Sequence, residues 1–441
     1  MLAGTLTTVV VLGINAGRFV TAPLASSGLI WPVYLALLSL GVLVVARTGL
    51  WRRAPVVAFV LFWLVGMAWL PYAWSIAPDP RLASREVLAL GYSAVLSCAV
   101  LLLGRRGGLL WWRFGWLAAL VLTGAVAVWE MTTARHLWVN PWPFQPRIAA
   151  ATYANPNNFG IMLLAMVVAL VAWRAETRSR VVRVVLSLAT LGAAGLVLLS
   201  ESRSAALGLI IIGALEIGRR LLAHPGLVRR FVSAHRVLVA AGAVALGVAA
   251  AATFVVPALA VHNPVLRMLY AAIQPTTAAS DLFRVRVSLL GLRYWWESGF
   301  FGTGAGSFEP IMWNDPNSGI DVEANLHNAF VEMLMQYGVV VFVVFAALLV
   351  VLCRVLWRTR LAASVRPRLA IVRTELAGHL VVFVALGLTA SSSLSQPVWW
   401  LVMANACACA ATLVDRTTRP ELRGASTAPA EPKVTSSPAA S

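Results

Sequence analysis

The chain has 441 residues, of which 60% are hydrophobic and only 12% charged. A soluble protein of this length needs far more charge to cover its surface, a need that a lipid bilayer removes. With 35 Lys and Arg against 17 Asp and Glu, the formal net charge is +18. In a soluble protein that balance would point to nucleic acid; here the arginines occupy short loops between apolar runs, where they set orientation.

Apolar runs occur at residues 2–20, 28–46, 55–72, 86–104, 109–130, 158–173, 184–201, 203–218, 237–257, 327–353, 375–392 and 397–414. Each is near the length that crosses a ~30 Å hydrocarbon core, so the fold class is an all-α integral membrane protein with about twelve transmembrane helices. Residues 1–20 read as the first span, because no basic n-region and no small-residue cleavage site mark them as a removed signal peptide. Alternate loops are rich in arginine: Arg47, Arg52 and Arg53; Arg105 and Arg106; Arg174, Arg178, Arg180 and Arg183; five between Arg219 and Arg236; six between Arg354 and Arg373. All fall on one side when both termini are cytoplasmic, which places the chain as a multi-pass protein of the cytoplasmic membrane.

Five spans within 1–130 are followed by an outward loop at 131–157 and four spans within 158–257. A large extracytoplasmic loop, 258–326, separates the ninth and tenth spans. Three spans within 327–414 precede a tail, 415–441, whose Ala, Pro, Ser and Thr content predicts a disordered cytoplasmic segment. The outward stretch 73–85, Ala-Trp-Ser-Ile-Ala-Pro-Asp-Pro at its start, reads as an irregular interfacial connection. The four cysteines, Cys98, Cys353, Cys407 and Cys409, show neither metal-ligand spacing nor a disulfide framework.

Outward arginines run against the orientation bias and so carry information. Arg203 sits in Ser200-Glu201-Ser202-Arg203-Ser204, between two apolar runs with almost no loop. Ser202 or Ser204 can cap the following helix, whose free N–H groups and Arg203 would make an anion site at the membrane surface. The bland alternative is an arginine snorkelling to headgroups or paired with Glu201. In the large loop, Asp281 to Trp296 has the character of an interfacial helix. At 100° per residue, Arg286 and Arg293 share one face, while Arg284 points the opposite way with Ser288 and Trp295. The following Gly302-Thr303-Gly304-Ala305-Gly306-Ser307 lacks a preceding strand and a Lys-Ser/Thr, so it is a poor phosphate loop; positive φ and close backbone approach are the expected reasons for its glycines.

Asn325-Leu326-His327-Asn328 opens the tenth span, with Glu332 and Gln336 one and two turns in. His327 is a surface polar residue in the plain reading and a general base near neutral pH in the functional one. Arg147 precedes Asn155-Pro156-Asn157-Asn158, which reads either as a helix cap and turn or as a polar entry to a substrate site.

Taken together, these segments resemble the O-antigen ligase and polymerase superfamily of polytopic glycosyltransferases. The resemblance rests on four features. They are Arg147 through Asn155-Pro156-Asn157-Asn158-Phe159-Gly160; Ser202-Arg203-Ser204-Ala205; Arg284 ahead of Gly302 to Phe308; and His327-Asn328 through Glu332 to Gly338. It implies a GT-C-like enzyme that draws a glycan from a polyprenyl diphosphate on the outer face of the membrane and passes it, with inversion, to an acceptor hydroxyl. It implies no metal and no cofactor. Arg203 and Arg284 would bind the diphosphate, with Arg286 the alternative for the second arginine, and His327 would lie at the acceptor hydroxyl. Arg147, Asn155, Asn157 and Asn328 complete the implied substrate site. Partners would be the lipid-linked donor, a glycan, lipid or glycoconjugate acceptor, and membrane lipids, with no nucleic acid. Ala151-Thr152-Tyr153-Ala154 departs from a Gly-Thr-Phe-Gly-like run of that superfamily. A ligase and a polymerase share the donor site and are not separated by these motifs. Two other classes stand beside this reading: a lipid-linked glycan transporter or flippase, and a metal-dependent GT-C enzyme using Asp321 and Glu323.

Overall fold

The computed structural model describes residues 1–16, 39, 53–137, 148–153, 155–223, 275–320, 325–388 and 394–418. Among these the architecture is all-helical. The helices are α1 (Leu2–Ala16), α2 (Ala54–Ser75), α3 (Pro80–Gly107), α4 (Leu109–Thr133), α5 (Pro156–Glu176), α6 (Arg180–Leu199) and α7 (Arg203–Ala223). They continue with α8 (Pro275–Glu297), α9 (Phe308–Asn314), α10 (Ala329–Arg358), α11 (Arg360–Val365), α12 (Pro367–Gly387) and α13 (Pro397–Thr418).

Seven of these, α2 to α6, α10 and α13, are long and apolar enough to cross a membrane. The expected spans at 203–218 and 375–392 correspond to the 21-residue helices α7 and α12. Apart from residue 39, those at 28–46 and 237–257, and the tail from 419, lie outside the described residues. The stretch at 73–85 differs from expectation. Instead of an irregular connection it is a sharp corner: α2 runs to Ser75, and α3 starts at Pro80. Asp79 caps α3, accepting from the amides of Arg81 at 2.7 Å and Leu82 at 3.2 Å, and proline is favoured at the first helical position.

Bilayer-facing and interior helices separate clearly. On α6, Val181, Val184, Val185, Leu188 and Leu191 are exposed, one apolar stripe at helical spacing, while Leu186, Ala193, Leu196 and Val197 are buried behind it. In water such a stripe would be costly; in hydrocarbon it is the solvent-facing surface. By contrast α5 and α13 are enclosed along nearly their whole length. An aromatic cluster joins α2, α10, α12 and α13: Trp63 packs on Trp400 at 4.6 Å between ring centroids, and Phe383 on Trp399 at 4.6 Å. The Trp400 indole N–H is satisfied by the Leu394 carbonyl at 2.8 Å, as a ring buried this deeply requires.

At one end of the bundle, buried Arg113 of α4 donates to Glu375 of α12 at 2.6 and 3.1 Å and to Glu176 of α5 at 2.7 Å. Arg113 lies near the start of α4, Glu176 at the end of α5 and Glu375 within α12, and the three charges meet inside the bundle.

A candidate active site at the opposite end

The other end of the bundle gathers the C-termini of α1, α2 and α4 and the N-termini of α3, α5, α7 and α10. Short-range contacts tie these ends together. Residues 148–153 are latched between α1 and α4: the amides of Ala150 and Ala151 donate to Glu130 Oε2 at 2.9 and 2.7 Å. Thr152 Oγ1 donates to the Asn15 carbonyl at 2.7 Å, and the Tyr153 hydroxyl bonds the Asn15 side chain. Ala151 holds a φ of 51°, in the left-handed region where glycine is the easy occupant.

Asn155 caps α5, accepting from the Asn157 amide at 2.8 Å; here the structure finds the cap, and Asn157 is half-buried beside it. One turn further, Gly160 brings α5 against the α6–α7 junction. A Cβ there would meet Ser200 Oγ at 2.8 Å, the Ala205 Cβ at 2.9 Å and the Ser202 Cβ at 3.1 Å. Arg203 is the first residue of α7, held in that junction behind Glu201, whose φ is 52°, and Ser202, which accepts from the Ala205 amide at 3.4 Å. Gly160 thus sets how closely Arg203 approaches the entry to α5.

The second half of the site is built on a small outer core. Val287, Leu290 and Tyr294 on one stripe of α8 pack with Phe308 and Met312 of α9 and with Leu326, Val331 and Met335 at the start of α10. The opposite faces of α8 separate the arginines as its periodicity implies. Arg293 Nη2 pairs with Asp315, and Arg286 Nη2 reaches the Ser318 carbonyl at 3.4 Å. Both thus point to the turn after α9. Tyr294 also donates to Asp315 at 2.8 Å; that bond, the Asn317 amide and Arg293 hold Asp315 below the usual carboxylate range. Arg284 is half-buried, and its charge is felt at His327. Burial first, and the Arg284 charge second, lower the His327 pKa from its ordinary 6.5, so the imidazole is neutral at neutral pH.

His327 sits at the entry to α10 with a φ of 43°, and its Nδ1 is shielded from solvent without a hydrogen-bond partner among the described residues. A non-glycine residue in this region is uncommon, and such strain concentrates at functional sites. Asn328 caps α10, accepting from the Phe330 and Val331 amides at 3.1 and 3.2 Å. Two carboxyl groups that the sequence reading did not bring together lie next to this point. Glu332 is buried one turn into α10, near Glu86 of α3, and Glu86 lies against the Tyr337 hydroxyl. Glu332 Oε2 and Glu86 Oε1, like His327 Nδ1, are shielded and have no hydrogen-bond partner among the described residues. Glu86 could have been noticed: it is a lone acid at the start of an apolar run, which at membrane depth marks a functional candidate.

The glycine run is a structural wedge, as its lack of phosphate-loop context implies. α10 breaks at Gly338, with φ 73° and ψ −177°, and the run 302–306 fills the break. The Thr303 amide donates to the Met335 carbonyl at 2.7 Å, the Gly304 amide to the Gln336 carbonyl at 3.1 Å, and the Val339 amide to the Phe300 carbonyl at 2.9 Å. The Gly306 amide donates to Gln336 Oε1 at 2.9 Å, and the Ala305 amide to the Ala73 carbonyl of α2 at 2.9 Å. Residues freed by the helix break are thereby satisfied. Arg147, Asp321 and Glu323 lie outside the described residues.

Residues 188–346 match the family model described as O-antigen ligase. The match runs from α6 into α10 and contains Arg203, Arg284, Arg286, His327 and Asn328, while Asn155 and Asn157 precede it. No curated protein matches the chain.

Proposed function

The chain belongs to the O-antigen ligase family by its match over residues 188–346, and from that premise we propose that it transfers a glycan from a polyprenyl diphosphate to an acceptor hydroxyl on the outer face of the cytoplasmic membrane. The observation that carries this reading is the strained entry to α10, where His327 holds its Nδ1 shielded from solvent within reach of the Arg284 charge. A multi-pass helical bundle of a ligase family supports a membrane glycosyltransferase; the donor, the face and the residue roles are the proposal.

In this mechanism the acceptor oxygen attacks the anomeric carbon from the side opposite the diphosphate. The new C–O bond forms as the bond from the anomeric carbon to the diphosphate oxygen breaks, giving inversion. Negative charge gathers on the departing polyprenyl diphosphate, and the fixed guanidinium groups of Arg284 and Arg203 stabilise it. The acceptor proton passes to His327, whose neutral ring can take it. Arg286, turned to the Ser318 carbonyl, is the weaker choice for the second diphosphate arginine. Glu332 and Glu86 offer unpartnered carboxyl oxygens that fit hydroxyls of the acceptor sugar, since a buried polar atom without a partner is costly until a ligand supplies one. No metal is required in this scheme.

The test is a reconstituted assay with the purified full chain and a lipid-diphosphate-linked oligosaccharide in EDTA. Wild type releases glycan from the lipid, and Arg203→Ala, Arg284→Ala and His327→Ala each lose ~100-fold or more. A ladder of products identifies a polymerase and a single transfer a ligase. Loss of activity in EDTA, or variants equal to wild type, would move the site to Asp321 and Glu323.

A further inference from the structure

Away from the cluster around His327, a cavity of about 510 Å³ opens between α8, α9 and the corner where α2 turns into α3. Arg293, Tyr294 and Glu297 line it from α8, Pro310 and Asn314 from α9, Asp315 from the turn that follows, and Pro78 from the corner. These walls are fixed to one another. Tyr294 packs with Phe308 and Met312 of α9 in the outer core and donates to Asp315 at 2.8 Å. Arg293 pairs with Asp315 and lies over the Tyr294 ring at 5.0 Å. The glycine run that leads into α9 is tied to the end of α2, since the Ala305 amide donates to the Ala73 carbonyl at 2.9 Å.

A water-filled groove between surface elements is the bland account of this cavity. Its chemistry is more selective than that. Arg293 pairs with both carboxylates of the wall, bonding Asp315 and lying 3.6 Å from Glu297. Donors and acceptors therefore alternate around the cavity, with one more acidic than basic side chain in its wall. A phosphate or a sugar acid meets net repulsion there, and a metal cation meets the guanidinium. Hydroxyls of an uncharged sugar, each both donor and acceptor, match such a wall, and Pro78 and Pro310 offer apolar surface to the C–H faces of the ring. Arg293 follows Arg284 by nine residues, which places it about half a turn round α8 and about 14 Å along it. A sugar held in the cavity is thus a unit some way from the bond that breaks.

We propose that this cavity is a binding subsite for an uncharged, hydroxyl-bearing sugar unit of the glycan, remote from the reacting bond. The source of that glycan rests on the glycosyl-transfer reading; the chemistry of the cavity does not. Such a subsite adds affinity for glycans of several units, because a distant unit is held while the reducing end reacts.

The test uses the purified full chain in detergent and a neutral oligosaccharide, released by mild acid from the lipid-linked donor of the transfer assay. Binding is titrated by saturation-transfer NMR. Wild type binds the free oligosaccharide. Glu297→Ala/Asn314→Ala removes two exposed polar side chains and spares the pairing of Arg293 and Tyr294 with Asp315. It should bind ~25-fold more weakly, about fivefold for each hydrogen bond lost. In the transfer assay the same variant should raise KM for the lipid-linked oligosaccharide more than it lowers kcat. The control Thr132→Ala/Arg135→Ala, exposed at the end of α4, should stay within about twofold of wild type. If the double variant does not purify as a folded protein, Glu297→Gln alone carries the test with an expected loss of about fivefold. Equal binding by cavity variant and wild type, or equal losses in variant and control, would overturn the subsite. So would a wild type that transfers glycan yet does not hold the free oligosaccharide. A wild type that holds it through Glu297 and Asn314 but transfers nothing leaves the subsite standing and overturns the transfer reading instead.

Discussion

Arg284, near the middle of α8, acts on His327, at the entry to α10, closely enough to lower the histidine's pKa, while Arg286 two residues on is turned to the Ser318 carbonyl. The relationship exists because α8 is fastened through Val287, Leu290 and Tyr294 to the first turns of α10. One helix face thus supplies packing, a second binds the turn after α9, and Arg284 adds its charge at the histidine. Mutation can separate these roles.

The substitution His327→Asn isolates the proton-accepting role. Asparagine tolerates the left-handed conformation that His327 holds but cannot take a proton at neutral pH. Transfer activity should fall ~100-fold or more with thermal stability little changed. A variant as active as wild type would show that the ring only orients the acceptor.

The pH profile follows from the direction of the His327 shift. Burial and Arg284 lower its pKa below 6.5, so a reaction that needs the neutral ring should keep its rate down to below that pH. Removing the charge with Arg284→Gln should move the acid limb of the residual activity upward. The linked effect on stability has a definite sign: the unfolded chain binds this proton first, so the stability from a neutral His327 is complete above pH 6.5 and declines as pH falls below it.

Gly302 and Gly338 test the wedge. At Gly302 the φ is 94°, and a Cβ would lie 2.7 Å from the Gln336 carbonyl oxygen and 2.8 Å from the Gly338 amide nitrogen. Both the strain and the clash oppose Gly302→Ala, which should destabilise the chain by about 2–3 kcal/mol and lower activity by displacing the start of α10. Denaturation in detergent together with the transfer assay measures both.

Two changes around the α5 entry should act in opposite directions. Ala151→Gly removes left-handed strain and should stabilise by about 0.5–1 kcal/mol after the entropy of the added glycine is subtracted. Gly160→Ala pushes α5 away from Ser200 and Ala205, so it should reduce activity through Arg203 even where the protein still folds. The expected signature is a raised KM for the lipid-linked donor.

The Arg113 triad is a structural element remote from the chemistry. Arg113→Ala leaves Glu375 buried without its cation and should cost about 3–5 kcal/mol. Arg113→Met/Glu375→Leu, which removes both charges of the inner pair, should recover much of that loss, with activity per folded molecule near wild type. Thermal melts and single-turnover rates on the folded fraction decide this.

What the sequence determined by itself is what depends on near neighbours along the chain. A membrane bundle follows from composition and run length, as a bilayer demands about 20 apolar residues per crossing. The division of Arg284 from Arg286 and Arg293 follows from 100° per residue, the cap at Asn155 from residue type, and the structural nature of the glycine run from its missing context. Proline after Asp79 was legible as a helix start, yet the aromatic and proline-rich corner obscured it.

The tertiary structure alone decided which of those faces meet. Hydropathy does not distinguish a helix side that faces lipid from one that faces other helices, because both are apolar. Hence the burial of α5 and α13 beside the bare stripe of α6, the meeting of Arg113 with Glu176 and Glu375, and the approach of Glu86 to Glu332 and Tyr337 were all outside its reach. The turn of Arg286 to the Ser318 carbonyl came about in the same way. Each joins groups distant in the chain, and only the packing of whole helices brings their polar atoms within reach where water cannot compete for them.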